Sequence, residues 1–249
     1  MSLDENASAL GRLLEELSWV GKTISNYRNG GRGYENVLTA EVLQALDFLP
    51  RQAFLGSVVG ASHGAPETRD ALRNEIEDAE TKLLPGNFYL ISGAERHTDG
   101  LPVQPDGLIT TPSCYVLLEA KRIRSSSFQA EQLAREYVLL MRDVGGRAPL
   151  LWLLLGSEPP VKVQGHGKLK LEKAIALHID SVLDRTEDFD LSKHELIAAI
   201  PAVVSWITWH EVHKVVSEQI QSFDNAVPSV QAAIERLAGA VIRAIEWHS

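Results

Sequence analysis

The sequence predicts an α/β domain in which helices flank a mixed β-sheet, and three segments carry this prediction. Residues 107–110 and 115–121 are short apolar stretches joined by a Thr-Pro-Ser turn, which is typical of an antiparallel hairpin. Residues 149–156 form a continuous apolar run, as expected for a strand that is buried on both faces and lies parallel to its neighbour. Residues 128–141, between them, carry apolar side chains at helical spacing. A hairpin, a crossover helix and a parallel strand together make a mixed sheet.

The remaining segments add helices at both ends of this core. Residues 1–33 are predicted as a helical arm that ends in a Gly-rich loop, and residues 34–249 as the main domain with C-terminal helical additions. The individual predictions are helices at 10–18, 35–49, 67–84, 171–184, 192–200 and 227–247, a first strand at 88–92, and loops at 29–33 and 157–168.

The composition is that of a globular protein with a sizeable core. The chain has 249 residues, of which 45% are hydrophobic, and no apolar run approaches the roughly 18 residues of a membrane span. The single cysteine, Cys114, excludes an internal disulfide, and the first residues carry acids rather than the basic and apolar regions of a signal peptide. We therefore expect a cytoplasmic protein with no membrane partner.

The net charge of -9 limits the kinds of partner. A protein that coats nucleic acid nonspecifically is usually basic, so this balance argues against that class. It leaves room for a site whose positive charge is local, and Lys121, Arg122 and Arg124 form such a concentration.

The predicted hairpin carries an unusual set of charged residues. Asp106 opens its first strand directly after a proline, and Glu119-Ala120-Lys121 ends its second. Because side chains alternate along a strand, Glu119 and Lys121 lie on the same face. Charges on an otherwise apolar strand need partners, since burying them alone is costly. A bound divalent cation would be a partner for the acids and would give the acids and the lysine a common role.

Pro105-Asp106 followed by Glu119-Ala120-Lys121 resembles the signature of the PD-(D/E)XK nuclease superfamily, which has the restriction-endonuclease-like fold. That family presents the Asp at one strand, the Glu-x-Lys on the next strand of a hairpin, and a helix afterwards, and this sequence predicts all three. The resemblance implies Mg²⁺-dependent hydrolysis of phosphodiester bonds in nucleic acid, with DNA the favoured substrate, in restriction, defence or repair. Mn²⁺ is the expected substitute metal.

The same resemblance assigns roles to individual residues. Asp106, Glu119 and the backbone carbonyl of Ala120 are the implied Mg²⁺ ligands, and Lys121 would lie near the attacking water. The superfamily also carries an acid on the helix ahead of its hairpin. Glu35 is the favoured match and a further metal ligand, with Glu41 as its competitor and Glu77 as a more distant third candidate. Alternatively, these acids only stabilise the first turns of helices through the dipole.

The helix after the hairpin supplies two further candidates. Gln132 resembles the glutamine that supports the site in several branches of the superfamily, although a surface glutamine is the alternative. Ser126 and Gln129 have the spacing of a capping box, which would start the helix beside the basic cluster. A helix N-terminus next to Arg122 and Arg124 suits a phosphate, so these two residues and Ser126 are predicted to bind the nucleic-acid backbone.

Several alternatives stay open at the level of sequence. Glu119 and Lys121 are also explained as an ion pair at a partly exposed strand end, and the fold as an inactive module for nucleic-acid binding or protein assembly. The presence of Asp106, Glu119 and Lys121 together favours the nuclease, whereas the negative net charge favours the module. Trp206 and Trp209, within residues 202–216, are candidates for stacking on nucleobases or for the core.

The predicted C-terminal helix carries a continuous apolar stripe. This stripe either caps the core or pairs with a second subunit, which would make the protein a homodimer. Its residues are Val230, Ile234, Leu237, Val241 and Ile245.

Overall fold

A computed structural model describes residues 34–90, 101–124, 127–186 and 189–249 of the chain. The predicted arm at residues 1–33, with its helix and Gly-rich loop, therefore lies outside the described residues. So do Ser126 and the side chain of Glu35, whose backbone lies in the first described helix.

The described chain folds as a sheet between two layers of helices. Its strands are β1 (Glu80–Leu83), β2 (Phe88–Tyr89), β3 (Pro102–Val103), β4 (Gly107–Thr110), β5 (Cys114–Ala120), β6 (Ala148–Leu155), β7 (Val161–Val163), β8 (Gly167–Leu169) and β9 (Val204–Thr208). Its helices are α1 (Tyr34–Phe48), α2 (Leu55–Ala61), α3 (Pro66–Glu75), α4 (Gln132–Asp143), α5 (Leu171–Ala176), α6 (Ile179–Leu183), α7 (Lys193–Val203), α8 (Trp209–Ser222) and α9 (Pro228–His248).

The main sheet is mixed, as predicted. Five strands lie in the order β1-β4-β5-β6-β9. The pairs β1–β4 and β4–β5 are antiparallel, whereas β5–β6 and β6–β9 are parallel. The hairpin β4–β5, the crossover helix α4 and the parallel strand β6 are therefore confirmed, with strand bounds within one residue of those expected.

Alternation along β5 divides the interior into two hydrophobic cores. Cys114, Val116, Leu118 and Ala120 face one core, which α1, α2, α3, α8 and α9 cover. Tyr115 and Leu117 face the other, which α4, α5, α6 and α7 cover. Glu119 and Lys121 continue the second face toward the end of the strand, so they lie under α4 rather than in solvent.

Two predictions about the start of the sheet are wrong. The helix predicted at 67–84 ends at Glu75, and a single 3₁₀ turn then leads into β1. This edge strand buries only Leu83, so it lacks the apolar alternation that identifies a strand in a sequence. The strand predicted as the first, at 88–92, is not part of the main sheet: residues 88–89 form β2, which pairs with β3 in a separate sheet of two strands, and residues 91–92 lie outside the described residues.

Two further segments differ from expectation in the second half of the chain, and a third, residues 202–216, contains a strand that was not predicted. Within the predicted loop at 157–168, β7 and β8 form an antiparallel hairpin. The helix predicted at 171–184 is two short helices, α5 and α6. The segment 202–216 contains β9 before α8 begins, because its run of β-branched and aromatic residues pairs with β6.

The C-terminal helix α9 caps the core, where it packs against α1 and α8. Ile234, Val241 and Ile245 of its stripe are buried, Leu237 is partly buried, and Val230 is exposed. The homodimer that the stripe also suggested stays a prediction. None of the helices in the described parts of the chain combines the length and apolar character needed to cross a membrane.

Candidate active site at the end of β5

Asp106 is fixed at the mouth of the β4–β5 hairpin. Its backbone N–H donates to the carbonyl of Leu118 at 3.0 Å, so the hairpin ladder extends one residue beyond β4. Its side-chain Oδ2 accepts from the backbone N–H of Ala120 at 2.7 Å. The motif acid of the first strand is therefore tied to the middle residue of Glu119-Ala120-Lys121.

Glu119 precedes Ala120 on β5, and its side chain is 3% exposed. Its Oε1 atom accepts from Lys121 Nζ at 2.6 Å and from Gln132 Nε2 at 2.5 Å. Glu119 and Lys121 do form an ion pair, but it is buried rather than partly exposed, since Lys121 is only 5% exposed. Such buried, charge-assisted contacts hold the carboxylate in one orientation.

Lys121 is held by its backbone as well as by its side chain. Its N–H donates to the carbonyl of Leu154 on β6 at 2.7 Å, and its carbonyl accepts from Trp209 Nε1 at 2.7 Å. The ammonium also lies 4.9 Å from the ring centroid of Phe128, within the range of a cation–π contact. Lys121 therefore has a defined position although it follows the last residue of β5.

Gln132 is the first residue of α4, and it turns toward the sheet rather than toward solvent. Its contact with Glu119 brings together the strand and the helix that the superfamily resemblance connects. The glutamine predicted to support the site therefore contacts Glu119, and its supporting role stays a prediction.

Glu136 is a residue of this cluster that sequence reasoning missed. It follows Gln132 by one helical turn and is 2% exposed. Burial raises the pKa of its carboxyl well above the usual value, and the nearby Glu119 charge raises it further, while Lys121 acts in the opposite direction. Its Oε2 atom has no hydrogen-bond partner among the described residues.

The apolar stripe of α4 explains why Glu136 was overlooked. The stripe of Leu133, Tyr137 and Leu140 placed Glu136 on another, apparently outer face. In the structure α5 and α6 cover that outer surface, so α4 is buried nearly all round. The signal that was present is the spacing of Gln132 and Glu136, which puts both side chains on one face of the helix.

The competing upstream acids have partners elsewhere. Glu41 Oε2 lies 3.6 Å from His248 Nε2, at the contact between α1 and α9. Glu77 Oε2 accepts from the backbone N–H of Gln52 at 2.9 Å. Glu35 lies in the first turn of α1, but its side chain is outside the described residues, so its role stays a prediction.

The helix start predicted at residue 128 is wrong, because the helix begins four residues later, and the phosphate role predicted for Arg122, Arg124 and Ser126 stays a prediction. Phe128 pairs with β7 instead, donating to the Lys162 carbonyl at 2.9 Å and accepting from Gln164 N–H at 3.0 Å. Helix α4 begins at Gln132 after Glu131, which pairs with Arg185 at 2.7 Å. Arg122 and Arg124 lie on the chain between β5 and α4, so their role as phosphate contacts depends on charge alone.

The two tryptophans have different environments. Trp209 is buried in the core, where its Nε1 donates to the Lys121 carbonyl. A ring buried in this way cannot stack on a nucleobase. Trp206 is partly buried, and its ring stacks on His63 with centroids 4.2 Å apart. His63 in turn contacts Glu211 at 2.7 Å. This group lies at the β9 edge of the sheet, away from β5.

The carboxylate oxygens of Asp106 and Glu119 and the carbonyl oxygen of Ala120 are ligands of the kind that Mg²⁺ prefers. The N–H and C=O of one strand residue point to the same side, so the Ala120 carbonyl faces the side on which Asp106 lies. Among the described residues, no group of three or more His, Cys, Asp or Glu side chains is arranged to hold a metal ion. An ion here would take part of its shell from the backbone, from water or from substrate.

No protein-family model, curated protein or solved structure matches the chain. What the site does is therefore inferred from its own residues and geometry.

Proposed function

We propose that the chain is a divalent-metal-dependent nuclease of the PD-(D/E)XK superfamily, with the restriction-endonuclease-like fold, and that it hydrolyses phosphodiester bonds of DNA. The observation that carries this proposal is the buried contact between Glu119 and Lys121 at the end of β5, beside an Asp106 that is bonded to Ala120. The motif residues of two strands therefore converge at one place, with Gln132 of the following helix beside them.

Burial of this cluster is difficult to explain by stability alone. Asp106, Glu119 and Glu136 are three carboxyl groups, and Lys121 is the one cation among these four side chains. Glu119, Glu136 and Lys121 are buried, so two buried carboxyl groups lie beside one ammonium, whereas Asp106 is half-buried. Since buried ion pairs seldom stabilise more than apolar residues of similar size, a cluster of this kind is better explained by chemistry.

The residues can be given roles in phosphodiester hydrolysis. Asp106, Glu119 and the Ala120 carbonyl would hold Mg²⁺ or Mn²⁺, which supplies a water of lowered pKa and polarises a phosphoryl oxygen when bound. Lys121 would orient the attacking water and stabilise the negative charge that develops on the phosphate. Gln132 fixes the Glu119 carboxylate through its amide.

Glu35 is proposed as the acid of the preceding helix. The competing acid Glu41 is exposed and directed toward His248, whereas the backbone of Glu35 lies in the first turn of α1. One straight helix cannot aim both acids at one point, because six residues correspond to a rotation of about 240°.

The net charge of -9 favours a second candidate, a module of the same fold that binds nucleic acid or assembles with protein without cleaving. The two candidates differ in one measurable property, because the module needs no divalent cation. Metal-dependent cleavage therefore separates them.

The test is incubation of the purified protein with plasmid, linear and single-stranded DNA and with RNA, each with Mg²⁺, Mn²⁺ or a chelator. We expect cleavage of DNA that requires metal. Glu119→Gln should abolish it, because the change keeps the shape and removes a ligand charge, and Lys121→Ala should reduce it strongly with little loss of metal affinity.

Glu131→Gln is the matched control, since Glu131 precedes α4 and contacts Arg185 rather than the cluster. It should cleave at the rate of the unsubstituted protein. Metal-independent cleavage, or full activity in both Glu119→Gln and Lys121→Ala, would contradict the nuclease proposal. The absence of cleavage on every substrate would favour the non-catalytic module.

A further inference from the structure

The β7–β8 hairpin and the start of α5 concentrate positive charge in a chain whose net charge is -9. Residues 161–173 contain four lysines and a single acid, Glu172. All four lysines are exposed, and none of them takes part in an ion pair with a side chain among the described residues. These residues, called the lysine surface below, are Lys162 on β7, Lys168 on β8, Lys170 before α5 and Lys173 within it.

The placement of these lysines is unfavourable for the hairpin itself. Val161 and Val163 are buried, so Lys162 between them points to solvent. Lys168 lies directly opposite Lys162 on the neighbouring strand, with Cβ atoms about 5 Å apart, and like charges in this position repel. Lys170 directly precedes the first residue of α5, where the helix dipole disfavours a cation. An anionic partner would remove this repulsion.

The turn of the hairpin is open to such a partner. Gly165 and Gly167 have φ values of +79° and +74°, and His166 between them is exposed. A Cβ added to either glycine would meet no atom of the described residues within 4 Å. The turn therefore extends into open space, and the glycines allow a ligand to approach the backbone closely.

The hairpin is attached to the candidate active site through Phe128. The Phe128 N–H donates to the Lys162 carbonyl at 2.9 Å, and its carbonyl accepts from the Gln164 N–H at 3.0 Å. The ring of the same residue lies 4.9 Å from Lys121 Nζ. The lysine surface therefore begins at a residue whose backbone is bonded to a direct neighbour of Lys121.

We propose that the lysine surface binds the phosphate backbone of DNA and holds it beside the end of β5. This inference rests on the proposed function, since DNA is the substrate proposed there. Duplex DNA carries about one negative charge per 1.7 Å of its axis, which matches a surface whose lysines have no carboxylate partners. The acids that give the chain its net charge do not prevent such binding, because salt at about 0.1 M screens exposed charges more than roughly 10 Å away.

The test measures binding of DNA in the presence of a chelator, so that no metal-dependent cleavage occurs. The fluorescence anisotropy of a labelled duplex of about 20 base pairs gives the affinity between about 50 and 200 mM KCl. Each phosphate contact contributes about 0.9 to the slope of the logarithm of affinity against the logarithm of salt concentration. The double variant Lys162→Gln, Lys168→Gln should therefore reduce this slope by about 1.8, and the affinity at about 0.1 M KCl by on the order of 10- to 100-fold.

The matched control is the double variant Lys214→Gln, Arg243→Gln. It removes the same charge from α8 and α9, which cover the other hydrophobic core, and it should keep the salt slope of the unsubstituted protein. The midpoint of thermal unfolding is the second readout. The hairpin variant should be at least as stable as the unsubstituted protein, because it removes a like-charge pair, whereas a structural role for these lysines would lower the midpoint. Should that variant fail to fold, Lys170→Gln with Lys173→Gln replaces it.

The outcomes separate this inference from the proposed function. An unchanged salt slope in the hairpin variant, or no binding of DNA by the unsubstituted protein, overturns the inference, while metal-dependent cleavage would still support the nuclease. Lysine-dependent binding to poly-L-glutamate or to phosphatidylserine vesicles, without binding to DNA, also overturns it and assigns the surface to an acidic protein or a membrane. Lysine-dependent DNA binding without cleavage on any substrate supports the surface and contradicts the nuclease.

If the protein cleaves DNA, steady-state kinetics give a further check. The lysines lie outside the cluster around Glu119, so the hairpin variant should raise KM for DNA and leave kcat nearly unchanged. A fall in kcat at unchanged KM would overturn a role in binding the backbone.

Discussion

Gly156→Ala tests whether the position of Lys121 depends on a close contact of the backbone. Gly156 directly follows β6, and a Cβ added there would lie 2.2 Å from the Arg122 carbonyl oxygen and 2.4 Å from that of Ile123. Both contacts are with backbone atoms, which cannot rotate away as a side chain would. Bringing the two separations to ordinary contact at 3.4 Å requires a displacement of about 1 Å.

That displacement determines the expected cost. Two hydrogen bonds of 2.7 Å hold Lys121, one to Leu154 and one from Trp209. A shift of about 1 Å takes such bonds past the roughly 3.2 Å at which they remain effective. Because each buried group left without its partner costs about 1–3 kcal/mol, we expect the free energy of unfolding to fall by about 3 kcal/mol.

The assay is urea unfolding followed by circular dichroism, with thermal unfolding as a second measurement. For a chain of this size, about 3 kcal/mol corresponds to a fall in midpoint of roughly 6–12 °C. If the protein cleaves DNA, a displacement of about 1 Å at Lys121 should also lower the rate by on the order of 100-fold.

Gly239→Ala in α9 is the matched control. The added Cβ meets only the flexible end of the Arg243 side chain at 3.1 Å, and alanine is the better helix former by about 1 kcal/mol. This variant should be as stable as the unsubstituted protein or more stable. Equal unfolding midpoints for Gly156→Ala and the unsubstituted protein would refute the argument that this close contact fixes the chain after β5.

Two further stability predictions concern the same cluster. Trp209→Phe removes the donor to the Lys121 carbonyl and should lower the free energy of unfolding by about 1–3 kcal/mol in urea, whereas a loss below about 0.5 kcal/mol would mean that this bond is not needed. The second prediction concerns pH: because the pKa of Glu136 is raised in the folded protein, its favourable contribution is complete below the ordinary value of 4.5 and is lost as the pH rises through the raised pKa. The stability of Glu136→Gln relative to the unsubstituted protein should therefore increase from pH 4.5 upward, and a difference that does not change with pH would contradict burial of an ionisable Glu136.

The parts of the fold that the sequence predicted well have strong local signals. Strand β5 alternates between two cores, and β6 is apolar throughout because both of its faces are buried. Strand β1 has no such signal, because it is an edge strand that buries only Leu83 and its sequence does not alternate between apolar and polar residues. The start of α4 was misplaced because a run of serines resembles a helix cap, whereas pairing of Phe128 with β7 decides where the chain turns.

The site was predictable to the same extent. Asp106, Glu119, Lys121 and Gln132 carry a motif, and the structure places Gln132 and Lys121 on one oxygen of Glu119. Glu136 carries no motif, and its burial depends on α5 and α6, which lie about forty residues later in the chain. Burial of a helix on its outer side is a tertiary property, so periodicity within α4 could not reveal it.

The residues proposed to carry the chemistry differ from the residues that determine the geometry of the cluster. The side-chain motif is confined to the β4–β5 hairpin and the start of α4, but the backbone of Lys121 is held from β6 and from the start of α8. Strands β5, β6 and β9 are parallel, so their C-terminal ends lie at one edge of the sheet, and β9 runs directly into α8 at Trp209. A chain that kept Asp106, Glu119 and Lys121 but lost the contacts of Gly156 and Trp209 would retain the motif and lose the position of its ammonium group. If the cluster acts as proposed, the position of its ammonium group depends on these two backbone contacts as well as on the motif itself.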